Sequence, residues 1–179
     1  MDYTPLYTFL SESNVKRHLD YLNTLKLRLS ILEKSIPSVN GKTAREILDM
    51  NIPRRQKEEI LPLTLEILAH KLYFSSFTTE PKSSPIVKKY YSSESGFCYD
   101  MMCTAKKFSY GYLYVFKDKK GRPDYRITCS PDILFLSSDP VFVIDLCEHA
   151  YFADYGFEKE KYLKGALSHL DLIRLNEVK

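Results

Sequence analysis

The segment Val143-Ile144-Asp145-Leu146-Cys147-Glu148-His149-Ala150-Tyr151 carries the most information in the chain. An apolar run ends at Asp145, and His149 follows four residues later. A strand over Val141–Leu146 puts the carboxylate at a strand end, and a turn after it can aim the imidazole the same way. A carboxylate and an imidazole at the end of a buried strand are donors suited to a first-row transition metal. The same spacing also fits an Asp that caps a turn beside a half-exposed His, so the residues alone leave both readings open.

Working outward, Tyr110–Phe116 and Asp124–Thr128 are rich in strand formers and flank the turn Asp118-Lys119-Lys120-Gly121. Two short helical patterns, Ile86–Tyr91 and Ser95–Lys107, precede them, and a helix over Lys159–Arg174 follows. Thr78–Pro85 reads as a linker. Before it, Val15, Leu19, Leu22, Leu25, Leu29 and Leu32 mark an amphipathic helix over Asn14–Ile36. A short helix over Ala44–Met50 and a longer one from Pro53 to Phe77 come next; Pro62 is predicted to kink the latter or delay its start. This order predicts an α+β fold: an N-terminal helical hairpin domain over 1–80, then an α/β domain over 81–179 with a small antiparallel three-stranded sheet.

Composition excludes several classes. Of 179 residues, 44% are apolar and 27% charged, which is ordinary for a folded globular chain. No apolar run reaches the roughly 18–20 residues of a membrane span, and Met1–Pro5 lacks the basic and apolar regions of a secretion signal. The four cysteines show no C-x-x-C pair, so reduced thiols and a cytoplasmic location are expected. A net charge of +3 with interleaved acids gives no basic platform for nucleic acid.

The segment at 145–152, D-L-C-E-H-A-Y-F, resembles the metal signature D-x-W-E-H-A-Y-Y of the iron/manganese superoxide dismutases. Phe108–Val115 is similar to that family's F-G-S-G-W-A-W-L strand, Ala69–Phe74 to its N-H-x-x-Y-W helix, and Lys16–Asn23 to its K-H-H-x-x-Y-V-N helix. The resemblance implies His70, Asp145 and His149 as three of four ligands to one iron or manganese ion per subunit. It implies superoxide as substrate and Tyr21 as the tyrosine at the substrate funnel. It further implies a homodimer joined through Glu148, with Lys159 in place of a funnel arginine.

The same alignment predicts departures. Counting back from Tyr21 puts the fourth ligand at Ser13, a vacant position, while His18 matches a non-ligand histidine and reads as a surface or interface residue. Arg17 and Phe152 replace a hydrogen-bonded gate pair, and Cys147, Tyr112 and Phe74 replace tryptophans. Glu66, four residues before His70, shares its helix face and becomes the candidate for the open side. As a ligand it would favour the trivalent ion and lower its potential. Two functions follow as alternatives: a superoxide dismutase-like enzyme with an altered site, or a degenerate member of the same fold acting as a structural or interaction module.

Overall fold

The computed structural model describes residues 2–131 and 136–177. Helix α1 spans Glu12–Ser35, capped by Ser11, whose side chain accepts from the Asn14 N–H. Its buried stripe is Asn14, Val15, His18, Leu22 and Leu25, the i, i+3/i+4 spacing of one helix face. Helix α2, Ala44–Asp49, opens with a reciprocal capping box between Thr43 and Glu46. Helix α3, Arg54–Phe74, packs against α1 and runs unbroken through Pro62. The helix therefore neither starts late nor breaks at Pro62. Pro62 lies on the exposed face, where the Glu58 carbonyl that loses its N–H partner is open to water.

Helices α4 (Pro85–Tyr91) and α5 (Glu94–Ala105) lead into strands β1 (Tyr112–Lys117), β2 (Pro123–Thr128) and β3 (Phe142–Asp145). The sheet is antiparallel with order β2-β1-β3. β3 is buried throughout, and so is β1 except at Lys117, which explains their near-continuous apolar sequences. Tyr112 pairs with Asp145, so both side chains leave the same face of the sheet, the side on which α3 packs against β3.

The chain then differs from expectation in two places. The turn expected after Asp145 is the start of a helix, α6 (Glu148–Tyr155), entered from Cys147 without a side-chain cap. The helix expected over Lys159–Arg174 ends earlier: α7 spans Lys159–Ser168, and a 3₁₀ turn follows over Leu172–Asn176. Between them Phe77 and Leu170 form an isolated bridge, and the Thr78 N–H donates to the His169 carbonyl. That backbone pairing needs extended chain, which stops the helix. The architecture is α+β, helical in its N-terminal part with one small antiparallel sheet in its C-terminal part.

Candidate metal centre

Four elements deliver one side chain each to a common point: His18 from α1, His70 from α3, Asp145 from the end of β3 and His149 from the first turn of α6. Their ligand atoms all lie within 4.8 Å of one another. Asp145 Oδ2 stands 2.9 Å from His149 Nε2, 3.3 Å from His18 Nε2 and 3.5 Å from His70 Nε2. The Nε2 atoms of His70 and His149 are 3.3 Å apart. Two ligands about 2.1 Å from one ion stand about 3.0 Å apart at right angles and about 4.2 Å apart when opposite. The observed spacings sit in that range.

The protein leaves these atoms otherwise unused. Asp145 Oδ1 accepts the Cys147 N–H at 2.8 Å, whereas Oδ2 meets no hydrogen-bond donor among the described residues. His18 Nδ1 has no hydrogen-bond partner among the described residues, and its Nε2 faces only Asp145 Oδ2. His70 Nδ1 donates to the Glu66 carbonyl at 2.8 Å, which fixes its tautomer and turns the Nε2 lone pair into the cluster. Orphaned buried polar atoms each cost about 1–3 kcal/mol. Three imidazoles and a carboxylate around one such point fit iron or manganese, which these donors suit.

At three of the four groups the electrostatics favour the ligating form, and at His149 they run the other way. Burial holds the His18 and His70 imidazoles below their usual value and so neutral, the form that ligates. Burial alone would raise the Asp145 carboxyl, but contact with His149 and His18 outweighs it and keeps the group well below the carboxylate range. Burial also lowers His149, but Asp145 overrides it and leaves that imidazole above its usual value. Of the four, His149 reaches solvent, its side chain 30% exposed against 1% for His18. It lines a cleft of about 340 Å³ with Asn14, Arg17, Glu148, Phe152 and Ala153.

The position expected to be vacant is filled. Ser13 is exposed in the first turn of α1, its hydroxyl 3.0 Å from that of Ser11, and it takes no part in the cluster. His18 occupies the fourth place instead, although the sequence placed it at a surface or interface. The reason is helix phase: positions 14, 15, 18, 22 and 25 share the buried face, and position 13 does not. Asn14 fixes that phase by donating its side-chain N–H to the Ala150 carbonyl of α6 at 2.8 Å.

Glu66 stands apart from the four. It lies outside the four-residue cluster and accepts the Tyr112 hydroxyl at 2.7 Å. Tyr21 packs on the other side, its ring 4.4 Å from that of His149 and 5.3 Å from that of His70. Burial and the neighbouring Glu66 charge push the Tyr21 hydroxyl up, and burial with the Asp145 and Glu66 charges pushes Tyr112 far above the usual range. Both tyrosines therefore remain donors and Glu66 the acceptor. Lys159, expected as a free funnel cation, donates to the carbonyls of Phe108 (2.8 Å), Ser109 (3.3 Å) and Leu146 (2.8 Å). Those bonds tie the start of α7 to the sheet on either side of the site. Glu148 is exposed beside the cleft.

The fold thus carries a buried three-histidine, one-aspartate cluster of the kind that could hold one metal ion. The family model for the iron/manganese superoxide dismutases, C-terminal domain, matches residues 79–178, more than half the chain. The chain belongs to the iron/manganese superoxide dismutase family. A search of curated proteins finds no match. No helix among the described residues is long and apolar enough to cross a membrane.

Proposed function

We propose that the chain holds one iron or manganese ion through His18, His70, Asp145 and His149 and converts superoxide to oxygen and hydrogen peroxide. The observation that carries this reading is the convergence of three imidazole Nε2 atoms on a carboxylate oxygen with no other partner. A fold retained only as a structural or interaction module has no use for three buried histidines around one carboxylate, because the empty cluster costs stability. The bound ion supplies an acceptor and donor of single electrons.

The protein's own residues do the rest. The Glu66 carbonyl orients His70, and the Cys147 N–H holds Asp145 so that Oδ2 faces the ion. Tyr21 keeps a protonated hydroxyl beside His70 and His149, a source for the protons that peroxide needs. Glu66 and Tyr112 anchor that side of the pocket. The cleft at Arg17 and His149 gives a small anion its way in. A homodimer that buries this face, with Glu148 against the second copy, and two domains over 1–80 and 81–179 that meet at the site belong to the same reading.

The test is metal analysis and superoxide assay of the purified chain beside His18→Ala and Ser13→Ala. We expect about one ion per chain and metal-dependent activity in the parent and in Ser13→Ala, with both lost in His18→Ala. A parent chain free of iron and manganese after growth with both would sink the proposal and leave the structural module.

A further inference from the structure

Beyond the ligands, a file of tyrosines that the reaction does not use leads away from the site. Tyr73 packs its ring 4.8 Å from that of His18. The Tyr162 hydroxyl stands 3.4 Å from that of Tyr73 and donates to the Asp145 carbonyl at 2.8 Å. Tyr151 stacks on Tyr162 at 4.9 Å, and Tyr155 lies 6.0 Å from Tyr162. Tyr73 and Tyr162 are fully buried, whereas Tyr155 is half-buried. The chain has 14 Tyr and no Trp, so tyrosine is its most readily oxidised aromatic residue.

We propose that Tyr73, Tyr162 and Tyr155 form a relay that carries an oxidising equivalent from the metal centre to the surface when hydrogen peroxide reacts there. The inference rests on the metal-centre reading. Peroxide takes two electrons and two protons to become two waters. Divalent iron held by the four residues would supply one electron; a tyrosine hydroxyl gives the other with one proton, solvent gives the second proton, and the tyrosine is left a neutral radical. Tyr73 and Tyr162 touch the ligand shell but are fully buried, out of reach of a reductant in solution, so the radical is passed on. At the far end exposure chooses the exit: Tyr151 is buried, whereas Tyr155 is half-buried and within reach of solvent. A one-electron reductant in solution can then restore Tyr155 before the ligand histidines are damaged.

The experiment mixes the ferrous, iron-loaded chain with hydrogen peroxide, freezes it and records the electron paramagnetic resonance spectrum. Peptide mass spectrometry then reads oxidation of His18, His70 and His149. Expected is a tyrosyl radical in the parent, lost for the most part in Tyr155→Phe, with more histidine oxidation. Tyr162→Phe keeps the ring and loses the hydroxyl, and it should give the same result with Tyr155 still present. Tyr151→Phe should change neither reading. The relay is overturned if iron is bound and no tyrosyl radical forms, if Tyr155→Phe leaves it intact, if Tyr21→Phe abolishes it, or if Cys147 takes the oxidation. A chain that binds no iron overturns the metal reading first and the relay with it, a result that metal analysis separates from the others.

Discussion

A neutral imidazole with an unsatisfied ring nitrogen is costly to bury, and His18 is such a group, 1% exposed, with only Asp145 beside Nε2 and no partner for Nδ1 among the described residues. Its folded-state value is lowered by burial, so an unfolded chain binds the proton first as the pH falls. The stability that neutral His18 permits is therefore whole above about pH 6.5 and declines below it, by at most about 1.4 kcal/mol per pH unit for one proton. His70 acts in the same direction, and His149, held above its usual value by Asp145, acts against them. In urea titrations of the metal-free protein between pH 7.5 and 5, wild type should lose more stability than His18→Gln; parallel curves would contradict the assignment. Glu66 is the second residue whose charge matters. A carboxylate beside the site stabilises the higher oxidation state, so Glu66→Gln should raise the reduction potential by about 59 mV or more, one tenfold shift in a one-electron equilibrium. Spectroelectrochemistry of the metal-loaded protein reads this, and an unchanged or lower potential would show that the Glu66 charge is not felt at the ion.

At the scale of elements, the site depends on how closely β1, β2 and the start of α6 approach one another, and Gly111 sets that approach. Its φ is +120°, and a Cβ there would meet the Thr128 carbonyl oxygen at 2.2 Å. Its own carbonyl accepts the Leu146 N–H at 2.8 Å, holding β3 just past Asp145. Gly111→Ala should therefore destabilise the protein by about 2–3 kcal/mol through backbone strain and shift Asp145. A melt within a degree of wild type, with metal affinity unchanged, would refute this. In the sequence Asp145 stood out at the end of an apolar run and His149 by its spacing from it, whereas His70 was marked only by the family resemblance of Ala69–Phe74. The sequence misled at α1, where the leucine stripe through Leu19, Leu29 and Leu32 drew attention away from the face that is buried. That face carries two polar residues, Asn14 and His18, and hydrophobic periodicity is blind to polar side chains facing inward. The signal that was available is the Ser11 cap, which starts the helix and places position 18 on the same face as Val15, Leu22 and Leu25. Helix α6 was missed for a related reason: eight residues entered from Cys147 give neither a side-chain cap nor enough length for a periodic pattern.

For the molecule as a whole, the four candidate ligands come from α1, α3, β3 and α6, so an ion at their centre joins both ends of the described chain. The unfolded chain offers no such arrangement, and binding is then coupled to folding. An ion present at a hundred times its dissociation constant adds about 2.7 kcal/mol to the stability of the folded state. Removing it leaves Asp145 and His18 buried, facing one another and away from water, with no ion to offset their desolvation. The loss should be felt where the ligand carries its element. Asn14 joins α1 to the Ala150 carbonyl of α6, and Ser11 joins it to Asp154 through two hydrogen bonds of 2.7 and 2.6 Å. These contacts survive metal removal, so α1 and α6 should loosen together while β1, buried in the sheet and away from the ion except at Tyr112, stays protected. Chelation should lower Tm and speed amide exchange in α1 and α6 before β1, and readdition of iron or manganese should reverse both. If exchange rises first in the sheet, or if Tm is the same with and without the ion, the cluster is not a site whose occupancy stabilises this fold.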